Sequence, residues 1–115
     1  MKFIKDDEFI RGNCPMTKEE VRILSVVKLE LEENYRVIDI GAGTGSVSIQ
    51  IALICEKGEV IAIEKDNEAL EVLKQNKVKF KASNLQIIKS EAMETEANIK
   101  GEFDAIFVGR SEEHT

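Results

Sequence analysis

Asp39-Ile40-Gly41-Ala42-Gly43-Thr44-Gly45 follows the apolar run Arg36 to Ile40 and precedes Ser46 to Glu56, a stretch apolar nearly all round. Strand, tight glycine turn and buried helix are the order these residue types dictate. Three alternate glycines let the chain turn sharply and approach a ligand with no Cβ in between. The helix that follows turns its first N–H groups toward any anionic end.

Outward from this turn, short apolar runs alternate with longer stretches of helical period, the signature of βαβ units and a parallel sheet. The spacing predicts strands at Arg36 to Ile40, Glu59 to Glu64, Leu85 to Ile88 and Asp104 to Val108. Each interval is long enough for one crossover. A first helix is expected from Thr17, where Thr17-Lys18-Glu19-Glu20 fits a capping box and Met16 can staple onto Val21. Val21, Ile23, Leu24 and Val27 would form its apolar face, able to cover a sheet. The second helix, Ser46 to Glu56, should stop at Lys57-Gly58, with Gly58 as a left-handed cap. A third, Asn67 to Phe80, would bury Ala69, Leu73, Asn76 and Phe80. Met93 to Ile99 would form one weak helical turn. The expected fold is α/β, a Rossmann-like doubly wound parallel sheet in the order 3-2-1-4, within a single domain spanning residues 1–115.

Ligands of such sheets sit beyond the carboxyl ends of the strands. Glu64 ends the second strand there, at the distance of about 20 residues from the glycine loop at which an acid accepts from ribose hydroxyls. The pair indicates a nucleoside. A nicotinamide site calls for Gly-x-Gly-x-x-Gly, but Ser46 occupies the sixth position. Gly-x-Gly-x-Gly preceded by Asp39 is instead the pattern of methyltransferases that use S-adenosylmethionine. That ligand pairs a carboxylate with an ammonium, so backbone donors and a nearby acid suit it, with Asp39 holding the loop or meeting the ammonium. After the third strand, Glu91 can accept from an adenine amine and the Ala92 backbone can donate to a ring nitrogen.

Composition sets the outer limits. Hydrophobic residues at 43% and charged residues at 33% belong to a folded domain. Sixteen Lys and Arg against 22 Asp and Glu leave a net charge of −6, which argues against capture of nucleic acid or an anionic membrane surface. The longest uncharged run, Ile40 to Cys55, has 16 residues broken by glycines, short of the roughly 20 apolar residues of a membrane helix. Acids at positions 6–8 stand where a signal peptide would be apolar, so a cytoplasmic location is expected. Cys14, Cys55 and the single His114 make neither a disulfide framework nor a metal site.

The segment Asp6-Asp7-Glu8-Phe9-Ile10-Arg11-Gly12-Asn13-Cys14-Pro15-Met16-Thr17-Lys18-Glu19-Glu20-Val21-Arg22, with Val37 to Ser46 and Phe103-Asp104-Ala105-Ile106-Phe107-Val108-Gly109, resembles the cobalt-precorrin carbon-15 methyltransferases (decarboxylating) of the anaerobic cobalamin pathway. The Pro-Met-Thr segment before the first helix is the more specific part. The resemblance implies methyl transfer from S-adenosylmethionine to a ring carbon of a cobalt-precorrin with loss of carbon dioxide from an acetate side chain. It implies a homo-oligomer, typically a tetramer. Cofactor contacts carried over by motif are Thr17, Gly41, Ala42, Gly43, Thr44, Gly45, Glu64 and Ala92, with Asp39 and Glu91 added from the residue reading. Arg11 and Arg110 flank the expected mouth and offer themselves to acceptor carboxylates. No residue announces itself as a general base, and no protein metal site is required because cobalt arrives inside the macrocycle. The family continues Gly-Gly-Ser-Gly-Gly after the fourth strand, where this chain reads Gly109-Arg110-Ser111-Glu112-Glu113, and its members are longer. The chain is therefore expected to hold the cofactor half of a truncated fold. The alternatives are a catalytically silent S-adenosylmethionine-binding or oligomerisation module and a nicotinamide oxidoreductase.

Overall fold

The structure is a computed structural model that describes residues 2–90 and 101–109. Four parallel strands form one sheet in the order β3-β2-β1-β4: β1 Arg36–Ile40, β2 Glu59–Glu64, β3 Leu85–Lys89 and β4 Ala105–Val108. In register, Val37 sits between Val60 and Ala105, and Ile40 between Ile63 and Val108. The expected strands and their order are observed.

Side chains alternate across the strands, so each strand feeds two layers. Val37, Val60, Ala62 and Leu85 join Val47, Ile49 and Ile51 of α2 (Ser46–Ile54) and Leu73 of α3 (Asn67–Lys79) in the main core. Ile38, Ile61 and Ile63 form a second cluster on the opposite face with Ile40, Ile88 and Phe103. All of α2 from Ser46 to Ala52 is buried, as its all-round apolar sequence requires. α3 is capped by Asp66, whose Oδ2 accepts from the Ala69 N–H at 2.9 Å, and it buries Ala69, Leu70, Val72, Leu73 and Asn76. Phe80 follows the helix end, half-buried against the core.

The first helix departs from expectation. α1 runs Glu19–Lys28 with Lys18 at its N-cap, so Thr17 does not cap it. Asp6 does so from outside: its Oδ2 accepts from the Glu19 N–H at 3.1 Å. Val21, Leu24 and Val27 are exposed, and the buried residues are Arg22 and Val26. The helix is turned because the Arg22 guanidinium finds partners inside. Nη1 bonds Asp6 at 3.0 Å and the Thr17 carbonyl at 3.3 Å, Nη2 bonds the Ile4 carbonyl at 2.5 Å, and the guanidinium carbon lies over the Phe9 ring, 4.9 Å from its centre. Both terminal nitrogens are thus bonded, while Nε is buried without a partner among the described residues; a buried cation held at its two ends is tolerated, and three apolar side chains pass to the surface. α1 packs chiefly on α2.

Gly58 is not in the left-handed region. It is needed because a Cβ there would stand 2.0 Å from the Tyr35 carbonyl oxygen. The expected turn at Met93 to Ile99 lies outside the described residues.

Candidate functional site

The carboxyl ends of β1, β2 and β4 converge on residues 41–45. Gly41 and Ala42 donate their N–H groups to the Ile63 carbonyl at 2.9 and 3.0 Å, so β2 carries the loop. Gly109 donates to the Ile40 carbonyl at 2.7 Å and lies against Gly41, so that a Cβ on Gly109 would stand 2.3 Å from the Gly41 carbonyl oxygen. All three loop glycines have positive φ, and Gly45 is the N-cap of α2, where it has no side chain to satisfy the first-turn N–H groups.

Glu64 reaches back across this turn. Its Oε1 accepts from the Gly43 N–H at 2.7 Å, while Oε2 accepts from Lys65 and Asp66 at 3.0 Å each. Three acceptor sites are thus spent on backbone. A ribose must use the remaining capacity of Oε1 or take the place of the Gly43 N–H. Spacing pointed to Glu64, but its grip on the loop became visible only in three dimensions.

Asp39 is buried beneath the loop. Ser48 Oγ donates to its Oδ2, joining the end of β1 to α2, and Oδ1 has no partner among the described residues. Burial raises its pKa from 3.8 to about 7; Ser48 opposes this and the charge of Glu64 adds to it. At 1% exposure Asp39 reaches no open surface, and its recorded side-chain bond runs to Ser48 of α2.

Gly41, Ala42 and Gly43 reach the surface or lie just beneath it, and a Cβ on Gly43 would meet nothing within 4 Å among the described residues. Thr44 and Gly45 are buried, the latter against Leu73. Thr17 is half-buried, with its carbonyl on Arg22. Arg11 is exposed and donates from Nε to the Cys14 carbonyl at 2.9 Å. Glu91, Ala92 and Arg110 lie outside the described residues.

Sequence reading missed two contributors. Ser48 gave no signal beyond a hydroxyl on a buried helix. Asn76 gave one: an amide on the apolar face of α3, between Leu73 and Phe80. It is wholly buried, and its partners are Ile10 and Thr44. A groove of about 700 Å³ lined by Lys74, Lys77, Ser83 and Gln86 lies at the opposite end of the sheet, by Gly58, and contains none of these residues. Among the described residues no group of three or more His, Cys, Asp or Glu side chains is arranged to hold a metal, and no helix is long and apolar enough to cross a membrane.

Sheet order, glycine turn and strand-end acid together define a Rossmann-like fold of the methyltransferase type. The family model described as the precorrin methyltransferase domain matches residues 8–115, and the chain belongs to that family. It is 50% identical over 111 residues to a probable cobalt-precorrin-6B C(15)-methyltransferase (decarboxylating) of Sulfurisphaera tokodaii, covering 95% of this chain and 58% of the relative. It is 47% identical over 112 residues to the cobalt-precorrin-6B C(15)-methyltransferase (decarboxylating) of Salmonella typhimurium, covering 96% and 57%. Among solved structures, precorrin-6y C5,15-methyltransferase from Geobacter metallireducens superposes with a TM-score of 0.88 at 34% identity, over 95% of this chain and 57% of that one. Precorrin 8W decarboxylase from Methanobacterium thermoautotrophicum gives 0.83 at 30% identity, over 92% and 57%. The chain thus spans somewhat under three fifths of the length of these relatives.

Proposed function

We propose that this chain forms the cofactor-binding part of an S-adenosylmethionine-dependent enzyme that methylates a ring carbon of a cobalt-precorrin and releases carbon dioxide from its acetate side chain, in cobalamin biosynthesis. The observation that carries the reading is the Gly41–Gly45 loop bound by Glu64 at the Gly43 N–H, with space over Gly43 that no described residue fills, in a chain of this family. The fit to the cofactor rests on that bare backbone, on the uncapped first turn of α2 and on the acid at the end of β2.

S-adenosylmethionine supplies an already activated methyl group, so the protein's share is placement, which contributes about 7–11 kcal/mol in well-aligned cases. In this reading the loop backbone from Gly41 to Gly45 receives the methionine end, with Thr17 beside it. Glu64 orients the ribose, Glu91 and Ala92 read the adenine, and Asp39 keeps the loop in shape through Ser48. Arg11 and Arg110 pair with acceptor carboxylates at the mouth. The enzyme works in the cytoplasm as a homo-oligomer, a tetramer by family resemblance. The exposed stripe Val21, Leu24 and Val27 supports self-association, which sedimentation would measure.

Calorimetric titration of the full-length protein with S-adenosylhomocysteine, S-adenosylmethionine and NAD tests the cofactor. Saturable heat with the first two is expected, and heat with NAD alone overturns the reading. Transfer of labelled methyl to cobalt-precorrin-6B with matching carbon dioxide release tests the reaction. Methyl transfer without carbon dioxide would refute the decarboxylating part.

A further inference from the structure

Asn76 uses its side-chain amide on two chain segments that are distant in sequence. Its Oδ1 accepts from the Ile10 N–H at 2.8 Å, and its Nδ2 donates to the Ile10 carbonyl at 2.8 Å and to the Thr44 carbonyl at 2.9 Å. Both amide hydrogens and one acceptor site are engaged, in a side chain with no exposure.

The segments it joins are the glycine loop and residues 9–14. That second segment lies along α3: the Phe9 ring meets the Phe80 ring at a tilt of 50° with centroids 5.0 Å apart, and Ile10 and Cys14 pack with Ala69 and Val72. Burial at this packing raises the Cys14 thiol pKa, and the charges of Glu68, Asp66 and Glu64 add to the rise. The loop is pressed to the same helix, since a Cβ on Gly45 would overlap Leu73. One turn of α3, Leu73 to Asn76, therefore fixes both the loop and the segment.

We propose that Asn76 is a positioning residue that couples residues 9–14 to the glycine loop, so that a nucleoside bound at the loop stabilises the segment and an ordered segment tightens the site. Such coupling is reciprocal. An apolar replacement takes the partner from the half-buried Ile10 N–H and carbonyl and from the buried Thr44 carbonyl, so the two segments lose their common anchor. The proposal rests on the S-adenosylmethionine reading, and its test separates the two.

Hydrogen exchange of the full-length protein is followed at residues 8–14 and 41–46, with and without saturating S-adenosylhomocysteine, in wild type, Asn76→Leu and Asn76→Asp. The aspartate keeps the acceptor for Ile10 and loses both donors, so it tests the clasp if the leucine variant does not fold. In wild type the ligand should slow exchange in both segments. In each folded variant it should still protect 41–46 but no longer 8–14, and the dissociation constant should rise about tenfold, within the range usual for coupled sites. An unfolded leucine variant with protection lost at 8–14 in Asn76→Asp supports the clasp. Protection at 8–14 that survives in Asn76→Asp, or wild-type binding that leaves 8–14 unprotected, overturns it. Absence of any ligand heat in wild type overturns the cofactor reading, and this proposal with it.

Discussion

Gly43 and Gly45 share a loop and a left-handed backbone, yet alanine should act on them in different ways. Both have positive φ, 59° and 87°, so a Cβ costs about 1–2 kcal/mol at either position. At Gly43 none of the described residues lies within 4 Å of the new methyl, and the stability loss should stop there. At Gly45 the methyl would come 2.2 Å from Leu73 Cδ1 and 3.5 Å from Leu73 Cγ, in a side chain with no exposure and therefore little room to rotate. Overpacking of this kind adds about 1–3 kcal/mol. Gly45→Ala should thus lose about 2–5 kcal/mol in all and Gly43→Ala about 1–2. Denaturant unfolding without ligand measures the gap, and Leu73→Val in the Gly45→Ala background should recover at least about 0.5 kcal/mol as a coupling term. Ligand binding should respond differently: the Gly43 methyl enters the open space beside the amide held by Glu64 and should weaken S-adenosylhomocysteine about tenfold, or 1.4 kcal/mol. Equal destabilisation by the two alanines, or unchanged ligand affinity in Gly43→Ala, would refute the division of the loop into an open side and a packed side.

Asp39→Asn removes the buried acid with its shape retained. Because the folded pKa is raised from 3.8 to about 7, the native state holds the proton more tightly than the unfolded chain, and wild-type stability falls as pH rises between those values, by about 1.4 kcal/mol per pH unit. The variant should therefore gain on wild type as pH climbs from 4 to 7 and hold its advantage above; unfolding curves across pH 4–8 that stay parallel would contradict this. Arg22→Met should free residues 2–17 for proteolysis. It strands the Ile4 and Thr17 carbonyls at about 1–3 kcal/mol each, while the carboxylate of Asp6, 41% exposed, rehydrates. Unchanged cleavage in that segment would count against the latch. Burial raises the thiol pKa of Cys14 and pushes that of Cys55 up to about 11, so native protein at pH 8 should react slowly with a disulfide reagent and rapidly once unfolded. A fast native phase would show an accessible thiolate.

The elements that were legible in the sequence are those fixed by neighbours along the chain. The strands Arg36–Ile40 and Glu59–Glu64, the glycine turn and α2, buried from Ser46 to Ala52, declare themselves through apolar period and backbone permissiveness, both local properties. Sheet order followed from connectivity, and Glu64 from its distance along the chain. The side of α1 that faces inward could not be read this way. Val21, Leu24 and Val27 look like a core stripe until Ile4, Asp6 and Thr17 bring an acid and two carbonyls to Arg22, and those partners meet only when the chain has folded back. The same holds for the cap of α1, supplied by Asp6 rather than Thr17, for the backbone bonds that occupy Glu64, and for Asn76. Apolar burial depends on a residue's own surface and period, whereas a buried polar group is stable only where its partners arrive, and their arrival is a property of the tertiary structure alone.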